Sequence, residues 1–594
     1  MSEQDGKGVD PAKPIPSKDR GGTASGKGGH HPTASELGWT GRKRAEHAKT
    51  DPRRQGAQTG WGRYLVAPRP LGLLPGGVPP IEASVLFTLL EEDPDVRPVA
   101  QVRPSRSRGL QAIAGPHPAC PAIAVVSMPE ERARSLAANP QVVVEVDQPL
   151  CYTPAPAAAG PGPVNDPLLT VTLQEPQTLV LHVTGRGGES VAGAHVWAIG
   201  AGGTAHGVTG PDGKAALALV ADTPQSLQAL YVRPVAGYWP ARVVRPFLTG
   251  QGEAVVEVEA LSETFEGFPG TALTGWGTQA MRLHQIPPTY RGHGIRIAML
   301  DSGANTIHPD LNDTVRHGHD FTGAGADAGT GTWGVDLTGH GTRCAGIIAA
   351  ADNRTGITGI AAEAEVYALK LFPGGHLSDL IEALDYCITH DIDIVQLSLA
   401  YGAPSQLIAW KVADARAAGI TLIAPAGDTA GPVTHLAMLP AVLAVGAIAH
   451  TGSYPVGSPL AATQPPWPGP YPAPFTPTGP GVDLVAPGAA VITTSFGDGY
   501  TPADGTAIAA AHVTGLSALL LAHHDHLRAE AVSRTSARAD TLYTLLRTAC
   551  RPLPAADART GAGVVDAPTA LGIPSSWQHD YRAEQTYSPV HQHG

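Results

Sequence analysis

In the second half of the chain, short apolar runs recur with no polar alternation: "RIAML" (296–300), "VYALKLF" (366–372), "DIVQLSL" (393–399), "TLIAPA" (421–426) and "VLAVGAI" (442–448). A strand with one wet face alternates apolar and polar residues, whereas a strand covered on both faces does not. Between the runs lie helical stretches such as "LSDLIEALDYCI" and "QLIAWKVADARAA". Buried strands alternating with helices predict an α/β fold, a parallel sheet with helices on both faces. In such a sheet a functional site is expected beyond the carboxyl ends of the strands.

The 594 residues exceed one compact domain, and the 71 Gly and 56 Pro predict many turns and long loops. Residues 1–60 read as a disordered tail: over the first 55 positions, 11 Lys/Arg stand against 7 Asp/Glu, a net of +4, with few large apolar residues. From Trp61 the pattern changes. Strand-like "GRYLVAP", "PAIAVVSM" and "QVVVEVDQ" enclose helical "IEASVLFTLLEE" and "PEERARSLAANP", a small α+β unit over 61–153. Ser127, Pro129 and Glu130 fit a capping box for its second helix. "PAPAAAGPGP" reads as a linker, 154–166. The short alternating runs "LLTVTL", "TLVLHVTG", "AHVWAIG", "AALALV" and "AVVEVEAL", with turns such as Asp212-Gly213, predict a β-sandwich over 167–262. The α/β unit spans 266–575 and a tail follows, 576–594.

The net charge of -12 argues against a general nucleic-acid binder. The five cysteines show neither metal-ligand spacing nor a disulfide framework. The N-terminus "MSEQDGKGVDPAKP" lacks a signal peptide's apolar run. No membrane span is expected. The expectation is a cytoplasmic protein, with a leaderless export route left open.

Three segments carry chemistry. "GIRIAMLDSGANTIHPDL" places Asp301 at the carboxyl end of an apolar strand. "DLTGHGTRCAGIIAA" sets His340 between glycines at a helix start, and "DGTAIAAAHVTG" sets Ala507 at another. In this order they resemble the subtilisin-like serine proteases, the subtilases; "DIVQLSLAYG", "GITLIAPAGD", "LPAVLAVGAI" and "GVDLVAPG" add to the likeness. It covers about half the chain. The resemblance implies an orienting acid at Asp301, a general base at His340 and the nucleophile's position at Ala507. Ser398, Leu399 and Ala400 would offer backbone to an extended peptide, and Gly427 would line the cleft. The unit at 61–153 resembles the family's inhibitory propeptide and is expected in that cleft. The stretch "GGESVAGAHVWAIGAGGTAHGVTGPDGKAALAL" resembles transthyretin-like or carboxypeptidase-regulatory-like modules.

The departures matter as much. Ala507 stands where the family has serine, Asp428 where it has the asparagine that donates to the oxyanion, and Ala511 where it has proline. A carboxylate only accepts hydrogen bonds and repels developing negative charge. Two functions therefore stay in play: a pseudoprotease binding peptide or protein partners, or an active serine endopeptidase whose serine was changed in this copy. Thr506, the nearest hydroxyl, is expected to point away from the site. Cys344, His308 and His512 are expected to pack. The pairs His30-His31 and His523-His524, with His591 and His593, are read as solvent-exposed. No cofactor is expected; structural calcium, common in the family, has no placeable loop here.

Overall fold

The architecture comes from a computed structural model that describes residues 60–103, 119–151, 177–220, 222–247, 253–323, 332–529, 534–553 and 558–574. The two tails, the linker, the run "LLTVTL" and the histidines near each terminus lie outside the described residues.

The first unit is a four-stranded antiparallel sheet in the order β2-β3-β1-β4, from β1 (Trp61–Pro68), β2 (Arg97–Val102), β3 (Ile123–Pro129) and β4 (Val142–Val146). The pleat sends successive side chains to opposite faces. Tyr64, Val66, Ala124 and Val126 face helices α1 (Ala83–Glu92) and α2 (Glu130–Ala137) and form a core with Leu86 and Leu90. Leu65, Ala67, Ile123, Val125 and Val143 face the other way and join the core of the large domain.

Strand β2 escaped the sequence reading because Pro98 interrupts it; it is an edge strand whose register shifts between Pro98 and Ala100, where proline is tolerated. The predicted capping box does not form. Pro129 is the N-cap of α2, with no side-chain cap, because β3 carries Ser127 into pairing with Arg63 and Arg97.

Residues 177–258 form two sheets around one core. Strands β5 (Gln177–Gly185), β8 (Lys214–Leu219) and β11 (Glu253–Val258) make one, ordered β11-β5-β8. Strands β6 (His195–Ile199), β7 (Thr204–Val208), β9 (Ala229–Arg233) and β10 (Ala241–Val244) make the other, ordered β10-β9-β6-β7. Leu181, Val183, Val196, Leu217, Leu230 and Val232 meet between them. The turn at Asp212-Gly213 needs its glycine twice over: φ is +72°, and a Cβ would lie 2.6 Å from the Val183 carbonyl oxygen.

The large domain is the parallel sheet. Its strands β12 (Arg296–Asp301), β13 (His317–Asp320), β14 (Glu365–Lys370), β15 (Ile394–Leu397), β16 (Thr421–Pro425), β17 (Val442–His450) and β19 (Leu484–Pro487) run β13-β14-β12-β15-β16-β17-β19, all parallel, and β18 (Pro470–Pro472) pairs antiparallel to β17. The chain builds outward from β12 in both directions, through β14 on one side and β15 on the other. That makes the carboxyl end of β12 the switch point, where the sheet opens a crevice. A two-stranded ribbon, β20 (Val491–Thr494) with β21 (Tyr500–Ala503), flanks it. Helices α3 (His340–Ala349), α4 (Leu377–Thr389), α5 (Gln406–Ala417) and α6 (Thr506–His523) cover the sheet. Helix α6 is long and apolar enough to cross a membrane, but 89% of it is buried within the fold, so it is the core helix. Small residues allow this: a Cβ at Gly515 would lie 2.7 Å from Ile360.

Candidate active site

Asp301 ends β12 at the switch point and is 1% exposed. The His340 Nδ1–H donates to its carboxylate, at 2.8 and 2.9 Å from the two oxygens. A carboxylate only accepts, so the neutral imidazole carries its proton on Nδ1, leaving the Nε2 lone pair as a base. The Ser302 N–H also donates to Asp301, at 2.7 Å. The glycine after His340 lets α3 come this close, since a Cβ at Gly341 would lie 2.0 Å from the Gly303 carbonyl oxygen. The spacing that looked diagnostic in the sequence is thus a steric requirement.

Ala507, at the position the sequence resemblance gives to the nucleophile, lies in the first turn of α6 and is 3% exposed. Its carbonyl accepts from Gln396 Nε2 at 3.3 Å. Thr506 offers no replacement: its hydroxyl accepts the Gly427 N–H at 3.0 Å and the residue is fully buried. Asp428 accepts the Thr506 N–H at 2.6 Å, so a carboxylate sits against the amino end of α6. The helix dipole favours an anion there, but for a developing oxyanion the same carboxylate is a repulsive neighbour.

The edge predicted to hold a peptide is occupied by the chain itself. Ala400 N–H donates to the Cys151 carbonyl at 2.6 Å, and Cys151 N–H donates to the Ala400 carbonyl at 2.9 Å. On the opposite rim, Leu150 N–H donates to Gly375 at 2.9 Å and Leu377 N–H donates to Gln148 at 3.0 Å. Residues 148–151 therefore lie as an extended strand between two rims. Of the three edge residues named from sequence, Ala400 makes these bonds; Leu399 N–H donates to Leu397, and the Ser398 hydroxyl accepts from Gln396. Gly427 lies beside Thr506 with φ +123°.

The rim at 375–377 was missed, since "FPGGH" has no motif to mark it. Two carboxylates of the first unit were missed too. Asp147 accepts from Arg63 Nε at 2.5 Å, Ser378 N–H at 2.9 Å and the Ser378 hydroxyl at 2.8 Å. Glu145 accepts from Gln406 N–H at 2.8 Å and the Ser405 hydroxyl at 2.5 Å. They sit on the amino ends of α4 and α5, where a helix attracts negative charge.

Cys344 is fully buried, with Sγ within 4.8 Å of ligand atoms of Asp301 and His340. Burial, and then the Asp301 charge, push its thiol pKa well above the ordinary value, which keeps it protonated and a poor nucleophile or metal ligand. His308 is buried, with Nε2 3.0 Å from the Gly499 carbonyl oxygen. His512 is 4% exposed and donates from Nδ1 to the Ile508 carbonyl. The reading of His523 and His524 as solvent-exposed is corrected: His523 stacks on Tyr290 with ring centres 4.1 Å apart, and His524 is buried at the end of α6, because the helix packs through its last turn.

A family model, the Subtilase family, matches residues 292–563. The chain is 32% identical to subtilisin Savinase of Lederbergia lenta over 252 residues, 41% of this chain and 83% of that protein. It is 32% identical to M-protease of Shouchella clausii over 252 residues, spanning 59% of that protein, and 30% identical to subtilisin E of Bacillus subtilis over 243 residues, spanning 57%. With the aspartate–histidine pair and the helix at Ala507 gathered at the switch point of one parallel sheet, these likenesses place the chain in the family of subtilisin-like serine proteases, the subtilases.

Proposed function

We propose that this chain is a pseudoprotease: it keeps the subtilase cleft for peptide or protein partners but does not cut them. The observation that carries the reading is the Ala507 methyl at the amino end of α6, where the family's chemistry needs a hydroxyl. Loss of that nucleophile costs about 10⁶ in turnover. Loss of one oxyanion donor costs about 10²–10³ more, though the two do not add. The retained pair of Asp301 and His340 cannot compensate, because a base needs an acid to deprotonate.

On this reading residues 61–153 act as an attached propeptide-like plug, supported by the pairing of 148–151 with both rims. The two-sheet unit is a candidate spacer or second binding platform. No cofactor takes part.

The test is a fluorophosphonate probe, which reports an activated serine, alongside casein hydrolysis. No labelling and no turnover are expected. Turnover that survives inhibitor controls and disappears in His340→Ala would overturn the reading. A second reading, an active endopeptidase whose serine was changed in this copy, draws support from the intact Asp301–His340 hydrogen bond. Serine at position 507 in close relatives would favour it.

A further inference from the structure

The outer face of the two-sheet unit carries a pair of histidines that the cleft does not use. Val196 and Ala198 point into the unit's own core, so His195 and Trp197 on β6 point out of it. On β7, His206 lies directly opposite Trp197 and diagonal to His195, on the same face. Diagonal neighbours on one face of a sheet are close enough for large side chains to meet.

These two do meet. His195 Nδ1 and His206 Nε2 are 3.2 Å apart. The ring centres stand 5.4 Å apart with their planes at 21°, so the rings meet edge to edge rather than face to face. Trp197 packs beside both, its ring centre 6.0 Å from that of His195 and 4.9 Å from that of His206, and rests on Tyr231 at 5.2 Å. Tyr231 is buried, so the pair stands on a packed floor while both imidazoles are exposed to solvent.

Two facing imidazole nitrogens share one proton, one ring donating and the other accepting. The same spacing suits a metal ion. Nitrogens bound at about 2.0–2.1 Å to one ion are about 3.3–3.4 Å apart in tetrahedral geometry and about 2.9 Å apart at a right angle. The observed 3.2 Å lies between the two. For both lone pairs to face the ion, the donating ring moves its proton to its outer nitrogen by exchange with water. Each ring then carries one outer N–H, and no net proton is released. Imidazole favours ions such as Ni²⁺, Cu²⁺ and Zn²⁺ over Mg²⁺ and Ca²⁺.

Among the described residues no third histidine, cysteine or carboxylate joins the pair within 4.8 Å, so the remaining positions fall to water and the ion exchanges. Arg233 lies opposite His195 in the register with β9 and adds a positive charge that lowers the affinity. Water around the exposed rings screens that charge. We propose that His195 and His206 form a two-histidine site for a divalent transition-metal ion. Strand β7 is the edge of its sheet, and an ion held from β6 and β7 at once would pin that edge. The site does not depend on whether Asp301 and His340 take part in catalysis.

The experiment titrates Ni²⁺ into the full chain, followed by calorimetry and by tryptophan fluorescence, which Ni²⁺ quenches at short range. A saturable quench is expected in the parent, and Trp197→Phe should lose the Trp197 share of it. His195→Gln and His206→Gln should each weaken this binding about 100-fold, since two ligands on one scaffold act at high effective concentration. Mg²⁺ should give neither heat nor quench. Bound Ni²⁺ should raise the melting temperature of the parent and of neither histidine variant. Both histidines are exposed, so these variants should fold, and melting without metal checks it; calorimetry on them reads the site even where Trp197→Phe does not fold. No saturable quench up to about 1 mM Ni²⁺ would overturn the proposal. So would Ni²⁺ binding that both histidine variants retain in full, which would place the ion on other histidines of the chain.

Discussion

His340 is oriented by Asp301 but has no hydroxyl at 507 to act upon. Restoring one should not restore the enzyme. Ala507→Ser is expected to gain only slight turnover, because on the proposed reading Asp428, which accepts the Thr506 N–H, presents a carboxylate where the developing oxyanion needs a donor. Adding Asp428→Asn should raise the rate by about 10²–10³ over Ala507→Ser alone. Peptide-nitroanilide hydrolysis by the two single variants and the double variant checks this; ordinary protease rates from Ala507→Ser alone would show that the site departs at one position only. His512 gives a second test. Burial lowers its pKa to about 4. The unfolded chain takes that proton near 6.5 while the folded chain refuses it until about 4, so stability should fall as pH drops through this window, by up to about 3 kcal/mol. Urea unfolding at several pH values should show His512→Gln with a shallower acid slope than the parent. Asp301, His340 and Ala507 were legible because each is tied to glycines close in sequence that the fold needs for steric reasons. The role of Asp428 toward Thr506 was not, because the two are far apart in the chain and meet only when β16 and α6 pack.

The elements show a similar division. Strands β12, β14, β15, β16 and β17 of the parallel sheet were legible as continuous apolar runs, since burial on both faces leaves no other pattern, whereas the edge strand β13, "HGHD", was not. Strands β7, β9 and β10 were not: "TAHGV" and "ARVV" are short and half-exposed, and tertiary pairing, not their own composition, holds them, while the buried "ALYVR" shows no alternation to mark it. The predicted cap at Ser127 failed because a ladder pairing outbid a local turn. Local caps do form on α4 and α5, where Asp379 accepts the His376 N–H and the Ser405 hydroxyl accepts the Ile408 N–H, but the carboxylates that reach these ends from another unit are invisible to any local reading. Asp147 satisfies the amino end of α4 and the Arg63 guanidinium at once, while 3% exposed. Asp147→Ala should therefore cost about 2 kcal/mol, as lost cap and unpaired donors. A melting temperature lower by several degrees is expected, against little change for Glu130→Ala, whose ion pair with Arg134 is exposed.

For the molecule as a whole, the occupied cleft sets what a partner must overcome. A strand attached to the same chain competes at a high effective concentration. Leu150 anchors it, 7% exposed, with its Cδ1 3.5 Å from where a Cβ at Gly375 would stand. Leu150→Ala should remove about 2–5 kcal/mol of that anchoring. The full-length variant should then bind an added extended peptide more tightly than the parent in anisotropy titrations. Unchanged affinity would mean that 148–151 does not compete for the same rims.

The paired strand also ends in a thiol. Cys151 is the one exposed residue among the five free cysteines, and its Sγ lies 3.5 Å from the Ala400 carbonyl oxygen. Partial burial raises its pKa, so while the strand is seated the thiol stays protonated and should alkylate slowly. A strand that leaves the rims frees it. The rate of Cys151 alkylation in the unmodified protein is thus a built-in gauge of plug occupancy, readable by mass spectrometry without a mutation or a label. Any partner that opens the cleft should announce itself by speeding that one reaction, leaving the buried Cys120, Cys344 and Cys387 as internal standards.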